Sequence, residues 1–161
     1  MEARHYSMLI HLIGFGLLFS LMVGVWILSS QYKKAADIKT KVTILSAMRT
    51  FGYLSPVGVL IMLSTGIWNM NIRGLGLFTE SWLTTKILFF IIAAINGVII
   101  GTKAGKRGKL YGQMLQGNPP AGAESTIASI DKQIKMIHMI QVILMLLILA
   151  LTVVKPGRYE M

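Results

Sequence analysis

The sequence predicts an all-α integral membrane protein, an antiparallel four-helix bundle with both termini outside (N-out/C-out). Three observations carry this. The 161-residue chain holds four long apolar runs; 54% of its residues are hydrophobic against 14% charged; and its Lys and Arg residues gather in two of the connections. An ordinary soluble domain carries about 25% charged residues, and a helix crossing a hydrocarbon core of about 30 Å needs roughly 20 apolar residues. The length fits one membrane domain spanning 1–161.

The first run, 8–29, holds one ionisable group, His11. Its apolar stretch exceeds the roughly 7–15 residues of a signal peptide and no small-residue cleavage site follows, so a retained span is expected. The second run, 51–70, is uncharged. Its Pro56 lacks a backbone donor and is expected to bend the helix near Gly52. The third run, 82–101, contains Lys86 alone among charged residues, and the fourth, 136–154, contains His138. Ile127, Ile130, Ile134 and Ile137 recur at helical spacing after the break Asn118-Pro119-Pro120. The last helix should therefore begin near Ser125, before it enters the bilayer.

The formal net charge is +10, and connections 30–50 and 102–135 hold eleven of the 16 Lys and Arg residues. The positive-inside bias makes those two connections cytoplasmic and places the protein in the cell membrane. Topology thus accounts for the charge, and no nucleic-acid partner is expected. The segment 101–107, Gly-Thr-Lys-Ala-Gly-Lys-Arg, has a phosphate loop's look. It is one residue short, and no Ser or Thr follows the lysine. A basic, glycine-rich helix exit suits lipid headgroups better. The chain has no cysteine, which excludes thiolate chemistry and iron–sulfur ligation. No span contains a carboxylate and no Ser–His–acid set exists, so nucleophilic catalysis and proton relay have no support.

Helices associate in lipid through small and polar residues. Lys86, Phe90, Ala93, Gly97 and Gly101 share a stripe that is expected to face the bundle interior, with Asn96 beside it. Ser55, Val59, Met62, Gly66 and Asn69 share a face of the second helix, and His138, Gln141 and Met145 a face of the fourth. Gly14, three residues after His11, leaves room for a neighbouring helix or a flat ligand. By depth, His11, Asn69, Lys86 and Lys155 form an outer polar layer, while His138, Gln141, Asn96 and Arg49 form an inner one roughly 20 Å away.

An ionisable group in a span is a functional candidate by default. His11 is a candidate axial ligand to haem. Met8 and His11, with Met70 expected at the same height, would suit Cu(I). His11, Lys86, Gly14 and Asn69 make up the candidate cofactor site, and the cofactor is haem b, copper or none. A His11–His138 pair is excluded by depth, and His5 joins only if the helix starts early. The competing reading has His11 as a hydrogen-bonded packing residue and Lys86 as a snorkelling anchor whose stem is covered by Trp82.

Four short motifs follow in order: His-Leu-Ile-Gly from His11; Thr65-Gly66-Ile67-Trp68; Trp82-Leu83-Thr84-Thr85-Lys86; and Val153-Val154-Lys155-Pro156. This order resembles the superfamily of copper-resistance D-type membrane domains and HemJ-type protoporphyrinogen oxidases. In the HemJ-type branch the resemblance implies a haem b-binding oxidoreductase acting on a porphyrinogen, with His11 as haem-associated ligand and Lys86 as an interior cation suited to a propionate. The copper-resistance branch implies copper import or handling. Asn96 or Gly97 stands where HemJ-type proteins usually carry a further histidine, and the copper branch's first-helix Trp-x-Gly-Gly is absent. The function expected is thus a haem- or metal-associated membrane protein with a redox or haem- or copper-handling role. The alternative is a non-catalytic accessory or structural subunit of a larger membrane complex. Besides the bilayer, the partners expected are further copies of the chain or other membrane subunits.

Overall fold

The computed structural model describes residues 3–76 and 78–154. Four helices follow one another: α1 (Ala3–Lys34), α2 (Ile38–Ile72), α3 (Ser81–Leu115) and α4 (Ala123–Val154). Each is long and apolar enough to cross a membrane. Trp26, Leu60, Val98 and Leu146 lie exposed on the surface of the spans, as expected where the solvent is hydrocarbon. Lys155 and the Lys155-Pro156 motif lie outside the described residues.

Every helix is much longer than its apolar run. At about 1.5 Å per residue a 35-residue helix extends about 52 Å, well beyond a core of about 30 Å. In α2, α3 and α4 nearly all of the excess lies at the end where α1 turns into α2 and α3 into α4, called here the basic end, while α1 extends past its run equally at both ends. Connections 30–50 and 102–135 are consequently mostly helix. The turns between helices are short, 35–37 and 116–122. Asp37 caps α2 by accepting the Thr40 N–H at 2.7 Å. That backbone hydrogen bond holds the Asp37 carboxyl below its ordinary range. Gly117 and Gly122 take positive φ in the second turn, a conformation glycine adopts without side-chain cost. The extensions are amphipathic and build a core of their own. Tyr32, Leu45, Tyr111 and Ile127 are buried together, with Ile38, Val42, Met48, Leu110 and Met114 against them.

Within the spans, α1 packs on α2, α2 on α3 and α3 on α4, while the described backbones of α1 and α4 do not touch. The closest approach is between α1 and α2, and two glycines make it possible. A Cβ on Gly14 would stand 2.6 Å from Ile61 Cγ2, and one on Gly58 would stand 2.7 Å from Leu18 Cδ2. Each glycine is the socket for a branched side chain of the other helix. The expected interior stripe of α3 is only partly interior. Ala93 is buried, but Gly97 and Gly101 are exposed, with nothing within 4 Å of an added Cβ. The tight helix contact that small residues permit was therefore spent between α1 and α2. α2 runs unbroken through Pro56.

Candidate functional site

Three polar layers occupy the bundle. The first lies near the end opposite the basic one, where α1 begins and α2 finishes. Gly14 against Ile61 and Gly58 against Leu18 set the α1–α2 register and bring His11 opposite Thr65. The Thr65 hydroxyl donates to the Ile61 carbonyl at 2.5 Å. Its one proton is thereby used, so its oxygen accepts from His11 Nδ1–H at 2.7 Å. This assigns the proton to Nδ1 and leaves Nε2 with a free lone pair. Ser7, fully buried, donates to the Thr65 carbonyl at 3.5 Å. Gly66 lies beside the imidazole, and a Cβ there would stand 3.8 Å from His11 Cε1, an ordinary contact.

Lys86, near the start of α3, is half-buried and within electrostatic reach of His11. Trp82 is buried, and its indole N–H donates to Glu80 Oε2 at 3.1 Å. Asn69 is half-buried, and its Oδ1 has no hydrogen-bond partner among the described residues. Gly14 sits one turn below His11, and the room beside it is taken by Ile61 of α2. Met70 is not level with His11. With His11 opposite Thr65, Met70 lies five residues, about 7–8 Å, further along the axis, and Met8 is exposed. The three expected copper ligands are therefore not brought together.

The second layer lies deeper. Arg107 against Asp131 and Lys103 against Gln133 set the α3–α4 register, which brings Asn96 level with Gln141 and puts His138 about one turn nearer the basic end. Asn96 Nδ2, Gln141 Oε1 and His138 Nε2 are each buried with no hydrogen-bond partner among the described residues. Arg49 does not join them. It is exposed, and its guanidinium lies over the exposed Tyr53 ring at 5.6 Å.

The third layer is in the extensions, and sequence reasoning missed it. Arg107, only 3% exposed, donates from Nη1 to Asp131 Oδ1 at 2.6 Å, and its guanidinium covers the Tyr32 ring at 4.7 Å. Tyr32 donates its one proton to Asp131 Oδ2 at 2.9 Å. The Tyr111 hydroxyl, also at 2.9 Å, supplies the second hydrogen bond. The Lys41 ammonium stands 5.9 Å from both tyrosine rings. Burial first, then the charge of Asp131 and the phenol's own bond to it, push the Tyr32 phenol well above its ordinary range. This cluster ties α1 to α3 and α4 where their backbones do not meet. A signal was present: Asp131 falls in the same helical stripe as Ile127 and Ile134, an acid inside an apolar face.

A family model described as "Predicted integral membrane protein (DUF2269)" matches residues 6–156, nearly the whole chain. The chain belongs to this family. No curated protein and no solved structure matches it. Membership agrees with the four spans and names no chemistry, so the DUF2269 chain must be read from its own polar layers.

Proposed function

We propose that this DUF2269 protein is a haem b-associated membrane protein, with its site in the half of the bundle away from the basic end. The carrying observation is the His11–Thr65 hydrogen bond at 2.7 Å. A ligating imidazole needs its second nitrogen held by a hydrogen-bond acceptor, which fixes both tautomer and ring orientation. Thr65 supplies that acceptor, and Nε2 is left to bind iron. Lys86, within electrostatic reach of His11, would face a porphyrin carboxylate. The separated backbones of α1 and α4 give a flat ligand a way in from the lipid. Bound haem would supply one-electron chemistry. The order of motifs resembling HemJ-type proteins supports the same reading, while Asn96 in place of a third-helix histidine argues for a role other than porphyrinogen oxidation. Copper is less well served, since Met8 and Met70 do not converge on His11. The Lys and Arg excess of the basic end would place that end in the cytoplasm and the protein in the cell membrane.

The test is the visible spectrum of the full chain purified in detergent after expression with excess haem precursor. A Soret band is expected, lost in His11→Ala and weakened about tenfold in occupancy by Thr65→Val, the usual penalty for removing a ligand's supporting partner. A colourless protein, or a Soret band unchanged in His11→Ala, overturns the proposal. One observation favours the accessory-subunit reading. Gly97, Gly101 and Gly105 recur every fourth residue on an exposed face of α3 with nothing within 4 Å of an added Cβ, a surface on which another helix could pack closely.

A further inference from the structure

The basic end carries a groove that the haem reading does not use. A cavity of about 390 Å³ opens between α3 and α4, lined by Lys103, Lys106, Ser125, Thr126, Ser129 and Gln133, with Ile130 beneath. Among the described residues no carboxylate lines it. Asp131 is engaged by Arg107 and Tyr32, and Glu124 lines a separate cavity beside Pro119 and Pro120. Its polar groups are turned into donors. Gln133 Oε1 accepts from Lys103 Nζ, and Gln133 Nε2 donates to Ser129 Oγ at 3.2 Å. The amide therefore keeps one N–H to give, and Ser129 keeps its own proton. Lys103 keeps two more N–H groups beyond the one used on Gln133.

We propose that this groove binds a phosphate group, and that its source is the headgroup of an anionic phospholipid. Two ammoniums and a free hydroxyl, without a competing carboxylate, match the charge and acceptor oxygens of a phosphate. The depth matches as well. Lys103 and Lys106 follow the end of the third apolar run at Gly101 by two and five residues, about 3–8 Å along the axis. The headgroup layer occupies about 5–7 Å on each side of the hydrocarbon. The floor at Ile130 is apolar, as the glycerol end of a lipid requires. The site is independent of His11, and its failure would leave the haem proposal untouched.

Native mass spectrometry of the full chain in neutral detergent tests this, with phosphatidylglycerol as the probe and phosphatidylcholine as comparison. One phosphatidylglycerol per chain should be retained preferentially. Lys103→Gln and Lys106→Gln should each weaken retention by about fivefold. Thr126→Leu, which fills the groove without changing charge, should abolish it. Lys109→Gln, on an exposed position of the same helix, should leave it unchanged. Millimolar inorganic phosphate separates the sources: displacement of the lipid identifies the free ion as a ligand of the same groove, and no displacement identifies the lipid. Equal weakening by Lys109→Gln, or full retention by Thr126→Leu, would show only diffuse attraction to a basic surface and overturn the proposal.

Discussion

Replacing Asp131 by alanine removes the carboxylate that neutralises the most deeply buried charge in the extensions. The Arg107 side chain is 4% exposed, and its Nε has no hydrogen-bond partner among the described residues. Breaking a fully buried ion pair from one side costs about 3–5 kcal/mol, because the remaining charge has lost both water and partner. Two features lower the figure here. The Asp131 side chain is 31% exposed, so water can reach the vacated position. The guanidinium also keeps the Tyr32 ring at 4.7 Å, an interaction of about 1 kcal/mol. The expected loss is about 2–3 kcal/mol. For a chain of this length that corresponds to roughly 5–10 °C in Tm, read by circular dichroism in detergent. Arg107→Met combined with Asp131→Asn removes both charges and keeps an acceptor for Tyr32, and should recover to within about 1 kcal/mol of wild type. A loss below about 1 kcal/mol in Asp131→Ala, or a double variant no better than the single one, would refute the assignment of this pair as the clasp between α3 and α4.

Two further outcomes follow from the packing and the phenol. Gly14→Ala places a methyl 2.6 Å from Ile61 Cγ2 and should cost about 1–3 kcal/mol through overpacking; Gly97→Ala meets nothing and should change thermal stability by less than about 0.5 kcal/mol. Equal effects of the two would contradict the α1–α2 contact. The Tyr32 phenol is raised by burial, the Asp131 charge and the hydrogen bond it gives to that carboxylate. Since the folded state holds this proton more tightly than the unfolded one, its contribution to stability is complete below about pH 10 and falls as the pH rises further. Tyr32→Phe should therefore flatten the alkaline limb of a stability-against-pH curve, and an unchanged slope above about pH 10 would contradict the buried hydrogen bond.

Much of the candidate site was legible before any helix was placed. His11 and Lys86 mark themselves out in otherwise uncharged runs, because apart from His138 every residue of the Lys, Arg, His, Asp and Glu set lies in a connection or a tail. Their depths could be counted from the run ends at a fixed rise per residue. The partner of His11 could not be read, because Thr65 is an ordinary residue in a polar-tolerant helix and becomes an acceptor only through the α1–α2 register. Met70 illustrates the opposite error. Counting from the helix end put it level with His11, but the α2 helix continues to Ile72 and two glycine sockets slide it past.

Hydrophobicity alone determined that four helices cross a bilayer and that they alternate in direction. Lipid leaves an apolar run of 20 residues no other way to satisfy its backbone, and such runs can be counted without knowing a single contact. Which faces meet was decided only by tertiary packing. Leu, Ile and Phe are as content against acyl chains as against a neighbouring helix, so the pattern of apolar residues carries little information about the interior. Small sockets and polar pairs choose the faces, and they act between residues far apart in the chain: Gly14 with Ile61, His11 with Thr65, Arg107 and Tyr32 with Asp131.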